Sequence, residues 1–248
     1  MQASTSAVQD TGPAADSYSR FHAAVSRAQL TAWLVDLGPF IVDISGPDAS
    51  AAEVAACAGH TVLRVAEPGA PATPVGGAGL KGALRTITAD AGGLEFLADG
   101  CADGVIAEDR TLSRHLAAEP LVGEIARVLR RGASVLACVD SLTLGMAVLA
   151  QQHHWPHLVD VPNADVVLVP WPDGSITRCY GVEQLRELFT GGGLDVNWIR
   201  SRTVFSPRTV SYLLARDPGS FGRLVTAELS ARSDESVGTQ LLLSARKP

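Results

Sequence analysis

A carboxylate followed by a tight turn of small residues is the feature of this sequence with the clearest chemical meaning. The apolar run 40–44 contains Asp43 and continues through Ser45, Gly46 and Pro47 into an alanine-rich stretch. A strand that turns sharply into a helix presents free backbone N–H groups and the positive end of the helix dipole, where α/β proteins hold nucleotide-like ligands. The segment therefore predicts a nucleotide-type cofactor site, in a turn occupied mostly by small non-glycine residues.

Alternating strand and helix patterns surround this turn and predict the elements that position it. Strands are predicted at 40–44, 61–66, 84–88, 104–107 and 134–139, an antiparallel hairpin at 165–169 and 175–180, and closing strands at 194–204 and 238–245. Helices are predicted at 18–37, 49–58, 121–129, 142–152 and 182–189, the third with residues 130–132 at its C-terminal end, and a long loop at 68–82. Strands separated by helices indicate right-handed crossovers and a mainly parallel sheet.

Composition narrows the function classes. The chain has 248 residues, 46% of them apolar, so it can bury a sizeable core as one large α/β domain or as two small ones. A formal net charge of −6, without a segment of clustered Lys and Arg, argues against nucleic-acid binding. The four cysteines lie far apart in sequence without a C-x-x-C pair, which favours free thiols over a zinc site or disulfides.

Neither the N-terminus nor the longest apolar stretch indicates a membrane protein. Residues 1–16 lack a basic start and an apolar core, so they are predicted to be a disordered lead and not a signal peptide. The apolar stretch 133–150 is interrupted by Asp140, Ser141 and Thr143, and is typical of a strand followed by a helix. A cytoplasmic location is therefore predicted.

Six segments follow one another in an order that carries a family resemblance. They are F-I-V-D-I-S-G-P at 40–47, A-G-H-T-V-L-R-V-A-E at 58–67, I-T-A-D-A at 87–91, A-D-G-V-I-A-E-D at 102–109, E-I-A-R-V-L-R-R-G-A-S-V-L at 124–136 and Y-G-V-E-Q-L-R-E-L-F-T-G-G-G-L-D-V at 180–196. In this order they resemble the class I S-adenosylmethionine-dependent methyltransferases. The resemblance extends from residue 40 to residue 248, and 124–134 and 182–196 are its most specific stretches.

The family's glycine motif, D-h-G-x-G-x-G, matches only in part. Asp43 and Ile44 correspond to its first two residues, and an ungapped alignment places Ser45, Pro47 and Ala49 at the three glycines. Gly46 is the one glycine nearby, and a one-residue deletion would align it with the motif. Larger side chains here would crowd the amino-acid end of the cofactor, and the proline removes one N–H donor.

The resemblance also assigns carboxylates at the ends of the next strands. Glu67 corresponds to the acid that accepts hydrogen bonds from both ribose hydroxyls, since one carboxylate can accept both. Asp90 and Ala91 correspond to the residues that hold the adenine ring. Glu108 and Asp109 stand where the family lines the methionine part of the cofactor.

Histidines are the candidates for a catalytic base. Methyl transfer is an in-line displacement that requires alignment of donor and acceptor and sometimes removal of a proton. Imidazole titrates near neutral pH, so His115, His153 and His154 are proposed for that step. Together with His157, the last two could also ligate zinc, but an intervening proline and the lack of a second ligand cluster argue against a metal site.

Aromatic residues are the candidates for substrate contact. Trp155 and Trp171 lie on the inserted segment and are predicted to touch the acceptor. Tyr18 and Phe21 on the leading helix are predicted to form a lid over the cofactor. Core packing is the alternative for each of these side chains, as it is for Tyr180 and Trp198.

Together these observations predict one α/β domain at 17–248. It is a Rossmann-like, seven-stranded, mainly parallel sheet with helices on both faces, an N-terminal helical cap and an inserted region at 140–181 that carries the β-hairpin. The predicted function is transfer of a methyl group from S-adenosylmethionine to a small molecule, and a homodimer is left open. A catalytically silent protein with a binding or regulatory role is the alternative. A nicotinamide-dependent oxidoreductase is disfavoured because no G-x-G-x-x-G follows a strand.

Overall fold

A seven-stranded sheet forms the centre of the molecule. The structure is a computed structural model that describes residues 13–47, 50–69, 80–90, 92–161, 164–231 and 238–248. The strands of this sheet are β1 (Phe40–Asp43), β2 (Thr61–Ala66), β3 (Ala83–Thr88), β4 (Ala102–Ala107), β5 (Leu129–Asp140), β8 (Asp195–Arg202) and β9 (Gln240–Arg246). Their order is β3-β2-β1-β4-β5-β9-β8, and β9 runs antiparallel between β5 and β8. The prediction of a mainly parallel, Rossmann-like sheet is confirmed.

Helices cover both faces of this sheet. The helices are α1 (Pro13–Leu34), α2 (Ser50–Ala58), α3 (Thr111–Arg114), α4 (Ala118–Val128), α5 (Leu142–Gln151), α6 (Trp155–Asp160), α7 (Val182–Gly191), α8 (Pro207–Arg216) and α9 (Phe221–Ser230). Side chains of a strand alternate between the faces. On β5, Val135 and Val139 accordingly pack in the core with α4 and α7, whereas Leu136 and Cys138 pack in the core with α1 and α2.

The leading helix α1 forms a cap together with α8 and α9. Phe21 and Val25 of α1 share a small core with Val210 of α8 and Leu224 of α9, and all four side chains are buried. The same helix crosses the face of β9, where Trp33 Nε1 donates to Ser244 Oγ at 3.2 Å. The cap therefore rests directly on the central sheet.

A second small unit packs against the carboxyl end of β5. The antiparallel hairpin β6 (Val167–Pro170) and β7 (Ile176–Cys179) packs one face on α5, where Gly145 lies so close to Cys179 Sγ that an added Cβ would come within 2.9 Å of it. Tyr180 then pairs with Ser141 at the end of β5. The hairpin is therefore held over the same sheet edge as the turn after β1.

Some predicted boundaries and connections are wrong. The helix predicted to run through Leu129 ends at Val128, because Leu129 already adopts extended backbone and pairs with Ala102 of β4. No helix was predicted between the closing strands, yet α8 and α9 lie there. Ser206 followed by Pro207 is an N-terminal helix signal for α8, and Ser206 Oγ accepts from Thr209 N at 3.2 Å.

Helix α1 begins at Pro13, inside the predicted lead, and residues 1–12 lie outside the described residues. Cys57, Cys101, Cys138 and Cys179 are all free thiols. In the described ranges, none of the helices combines the length and the apolar character that a membrane crossing requires.

Candidate functional site

A cavity of about 450 Å³ lies where the carboxyl ends of β1 and β4 meet the N-terminus of α2. Helix α1 forms its outer wall, with Tyr18, His22, Ser26 and Arg27 among the lining side chains. Its inner wall includes residues after β1 and β4 and the first turns of α2: Ser45, Ser50, Ala51, Val54, Glu108 and Asp109. This is the position in which open α/β sheets bind ligands.

The turn after β1 forms the inner wall through an internal hydrogen-bond network. Asp43 is fully buried, and its Oδ1 accepts from Ser45 N at 3.0 Å. Ser45 Oγ in turn accepts from Glu108 N at 3.0 Å, which joins the ends of β1 and β4. Arg64 of β2 also stabilises the turn, because its Nη2 donates to the Pro47 carbonyl at 2.6 Å. Two of the side chains predicted to bind cofactor, those of Asp43 and Ser45, therefore brace the turn itself.

Neither Gly46 nor Pro47 lines the cavity. Pro47 is exposed. Asp109 Oδ2 packs so close to Gly46 that an added Cβ would collide with it. Arg114 holds that carboxylate through its Nη1, at 3.2 Å. The close approach of Asp109 is a physical reason for glycine at this position.

Burial of Asp43 gives a testable pH dependence. Burial raises the pKa of Asp43 to about 6, although hydrogen bonds from Ser45 and the charge of Arg64 oppose the rise. The folded state therefore binds the proton more tightly than the unfolded state, and stability falls as the pH rises from about 4 to about 6.

Replacing Asp43 by asparagine should remove this contribution while keeping an acceptor for Ser45 N. We expect urea titrations at pH 4 and pH 7 to show a loss about 2–3 kcal/mol larger for the wild type than for D43N. Parallel pH profiles of the two proteins would contradict the assignment.

Carboxylates stand at the ends of β2 and β3, as predicted. Glu67 and Asp90 are both exposed, and neither forms an ion pair with another described residue. Asp90 Oδ1 accepts from Gly92 N at 2.9 Å, which stabilises its own turn and leaves Oδ2 available. Ala91 lies outside the described residues. The strands bring Glu67 and Asp90 to one sheet edge, because Ala66 pairs with Thr88 in parallel register.

His115 lies beside this edge, not beside the cavity. Its Nδ1 is 2.8 Å from the Thr111 carbonyl, so its orientation is fixed by α3. A Cβ added at Gly92 would be 3.5 Å from His115 Nε2 and 3.2 Å from Asp90 Oδ1. His115 therefore neighbours the carboxylate that the family resemblance places at the adenine ring.

Glu108 lines the cavity but is held by an arginine that sequence reasoning missed. Arg202 at the end of β8 binds Glu108 with both terminal nitrogens, at 2.7 and 2.8 Å. Its Nε donates to Gln29 Oε1 of α1 at 2.7 Å. Arg202 and Glu108 are both buried. This buried ion pair joins β4, β8 and the cap, so the Glu108 side chain supports the cavity wall.

Of the two residues predicted to form a lid, only Tyr18 reaches the cavity. It lines the wall, and its hydroxyl interacts with Thr203 and Thr239. Burial raises the pKa of Tyr18. Phe21 is completely buried in the cap core, and its ring contacts that of Phe205 with centroids 6.5 Å apart. Phe21 therefore follows the packing alternative.

The remaining histidine candidates lie at the far end of α5. His153 and His154 follow Gln151, so the length of the helix, about 15 Å, separates them from Ser141 at the end of β5. His153 contacts Trp155 edge to face, and His154 stacks on His157. Trp155 is 55% exposed. Among the described residues, no group of three His, Cys, Asp or Glu side chains is arranged to hold a metal ion.

The segment after β4 has strained backbone and positions a second group of side chains. Asp109 and Arg110 both have positive φ, 52° and 59°, which is uncommon for residues other than glycine. Arg110 reaches Asp140 at the end of β5 and lies over the ring of Trp171, 5.7 Å from its centroid. Trp171 is thus the one predicted substrate-contact tryptophan that lies near this edge. Asp140 follows an apolar strand directly, which is a signal for a site residue that could have been used.

Comparison with known proteins identifies the fold. No protein-family model and no curated protein sequence matches this chain. Among solved structures, an S-adenosylmethionine-dependent methyltransferase from Mesorhizobium loti is 17% identical with a TM-score of 0.56, over 90% of this chain and 98% of that chain. The chain has the class I methyltransferase fold.

Two further structures with this fold were solved with ligands. The 1,6-didemethyltoxoflavin-N1-methyltransferase from Burkholderia thailandensis, with bound 1,6-didemethyltoxoflavin and S-adenosylhomocysteine, is 15% identical with a TM-score of 0.56 over 94% of this chain and 86% of its own. A geranyl diphosphate methyltransferase in complex with S-adenosylmethionine is 11% identical with a TM-score of 0.57, over 97% and 92% of the two chains. At these identities the likeness concerns the class I methyltransferase fold alone.

Proposed function

We propose that this protein is a methyltransferase that uses S-adenosylmethionine to methylate a small molecule. The observation that carries the proposal is the cavity between α1, α2 and the ends of β1 and β4, on a sheet with the class I methyltransferase strand order. Its volume of about 450 Å³ falls within the range of small-molecule sites, roughly 300–1,000 Å³.

The chain's own residues fit the cofactor at three points along the sheet edge. Asp90 is available to accept a hydrogen bond from the adenine amino group, and Glu67 to accept from the ribose hydroxyls. The methionine end would enter the cavity, where the N-terminus of α2 and the Arg27 side chain attract its carboxylate. Glu108 and Ser45 line the cavity wall, where hydrogen bonds to Arg202 and to the Glu108 N–H hold their side chains in place.

The bound cofactor would supply an electrophilic methyl group on its sulfonium. The protein then has to orient the acceptor in line and exclude water. Tyr18 and the rest of the α1 wall cover the cavity from outside, and Arg202 fixes that wall to β4 through Glu108. His115 is the one proposed base that lies at the sheet edge, and it stands beside Asp90, at the adenine end of the proposed cofactor position and away from the cavity.

The acidic charge of −6 and the modest cavity favour a small-molecule acceptor over nucleic acid. The hairpin over the end of β5 would close the acceptor side of the site. The cytoplasmic location, the homodimer and the domain limits stay predictions.

Isothermal titration with S-adenosylmethionine tests the proposal directly. We expect micromolar binding by the wild type. Replacing Glu67 or Asp90 by alanine should weaken binding by about 1–3 kcal/mol each, because each variant loses charge-assisted hydrogen bonds. Glu187→Ala on α7, an exposed acid, is the matched control and should bind like the wild type. Unchanged affinity in both site variants would show that the cofactor is placed wrongly.

A catalytically silent role is the second candidate, and the turn after β1 favours it. Ser45 and Asp43 are engaged with each other and with Glu108, and Asp109 contacts Gly46 where the family's glycines leave space. Absence of detectable binding at millimolar S-adenosylmethionine would refute the enzyme and leave a binding or regulatory protein with this fold.

A further inference from the structure

Asp140 is a buried carboxylate at the end of β5 that the proposed cofactor site does not use. Its side chain has no solvent exposure, and its Oδ1 lacks a hydrogen-bond partner among the residues that the structure describes. Burial raises the pKa of Asp140, and the charge of Arg110 and a hydrogen bond with the Thr177 side chain oppose that rise. A buried carboxylate with an unsatisfied oxygen is costly, so its presence calls for a partner of opposite charge.

Arg110 fills that role incompletely. Its Nη1 is 3.5 Å from Asp140 Oδ2, longer than the roughly 2.7–2.9 Å of a strong ionic hydrogen bond. Its backbone has a φ of 59°, and its side chain is 35% exposed. The guanidinium therefore sits at the mouth of the site on a strained backbone and can be displaced toward solvent.

Trp171 supplies a flat surface that also contacts the guanidinium. The ring of Trp171 lies 5.7 Å from Arg110 Cζ, within cation–π distance. Its orientation is fixed, because Trp171 Nε1 donates to Thr177 Oγ1 at 2.8 Å. An indole ring and a buried carboxylate that both contact one guanidinium form an arrangement that recognises a planar cation.

We propose that Asp140 and Trp171 form a subsite for a flat organic cation, and that Arg110 occupies it until the methyl acceptor displaces it. The acceptor class would thus be small molecules that carry an amidine, guanidine or protonated nitrogen heterocycle. This assignment of the acceptor rests on the proposed methyltransferase function. The subsite is near the proposed cofactor position, because β5 lies next to β4 and the residues after β4 line the cavity.

The probes are phenylguanidine, a planar cation, and phenylurea, its neutral counterpart of nearly equal shape. Arg110→Asn removes the resident cation while keeping a residue that tolerates left-handed backbone, and Arg110→Gly is a second variant of the same kind. Asp140→Asn removes the charge of the subsite. Arg223→Ala, which removes an exposed arginine on α9, is the matched control.

We expect calorimetry to show that phenylguanidine binds R110N and R110G at least about tenfold more tightly than it binds the wild type and R223A, because no resident cation competes. Phenylurea should bind none of them detectably. In the R110N background, adding D140N should abolish the gain. Equal binding of the two compounds, or equal affinities of the wild type and both Arg110 variants, would overturn the proposal.

Titration of the same proteins with S-adenosylmethionine separates the two hypotheses. Cation binding as expected without cofactor binding would keep the subsite and refute the methyltransferase function. Cofactor binding without selective cation binding would refute the subsite alone.

Discussion

Replacing Arg202 by methionine is expected to lower the free energy of unfolding by about 3–5 kcal/mol, because the change leaves the buried Glu108 carboxylate without its partner. Arg202 makes two short bonds to Glu108 and one to Gln29, and no residue in this group is freely exposed. Urea denaturation at neutral pH measures the loss.

Two further variants distinguish the buried pair from an ordinary ion pair. The double variant R202M/E108L should recover most of the loss, because both charges are then removed together. The exposed pair of Arg223 and Asp217, with an N–O distance of 2.6 Å, provides the comparison, and R223A should cost at most about 1 kcal/mol. A loss in R202M no larger than that in R223A would refute the role given to this pair.

Replacing Phe21 by alanine is expected to cost about 3–5 kcal/mol of stability, since its fully buried ring is at the centre of the cap core. Because α1 is also the outer wall of the cavity, affinity for S-adenosylmethionine should fall in the same variant. Denaturant titration and calorimetry measure the two effects.

Phe96 offers a matched phenylalanine outside any core. It is 47% exposed, so F96A should change stability by no more than about 0.5 kcal/mol and leave cofactor affinity unchanged. Wild-type cofactor affinity in a folded F21A protein would show that the cap does not contribute to the site.

The sheet was largely predictable from the sequence because its strands are short apolar runs separated by helical patterns. Strands 40–44 and 61–66 were predicted to within one residue of β1 and β2. The ladder of β9 between β5 and β8 was not derivable from local pattern, because pairing across the chain depends on tertiary packing. The short helices α3 and α6 were missed for a different reason, because four to six residues are too few to show a helical periodicity.

The candidate site was predictable only at the level of strand ends. Glu67 and Asp90 stand at the edge where the resemblance placed them. Their position depends only on where β2 and β3 end, and the local sequence pattern predicts strand ends. The partners of Glu108 and Asp140 were not predictable, since Arg202 and Arg110 come from distant or strained segments. Arg64 within an apolar strand was a local signal of a buried charge, and it supports the turn at Pro47.

The place of β9 in the sheet also bears on the order of events during synthesis. Strand β8 leaves the ribosome before β9, yet its one ladder among the described strands is with β9. The five parallel strands can assemble on the nascent chain, whereas β8 has to wait with its edge unpaired. Exposed edges of this kind invite association with other chains, so newly made protein is most vulnerable to aggregation in that interval.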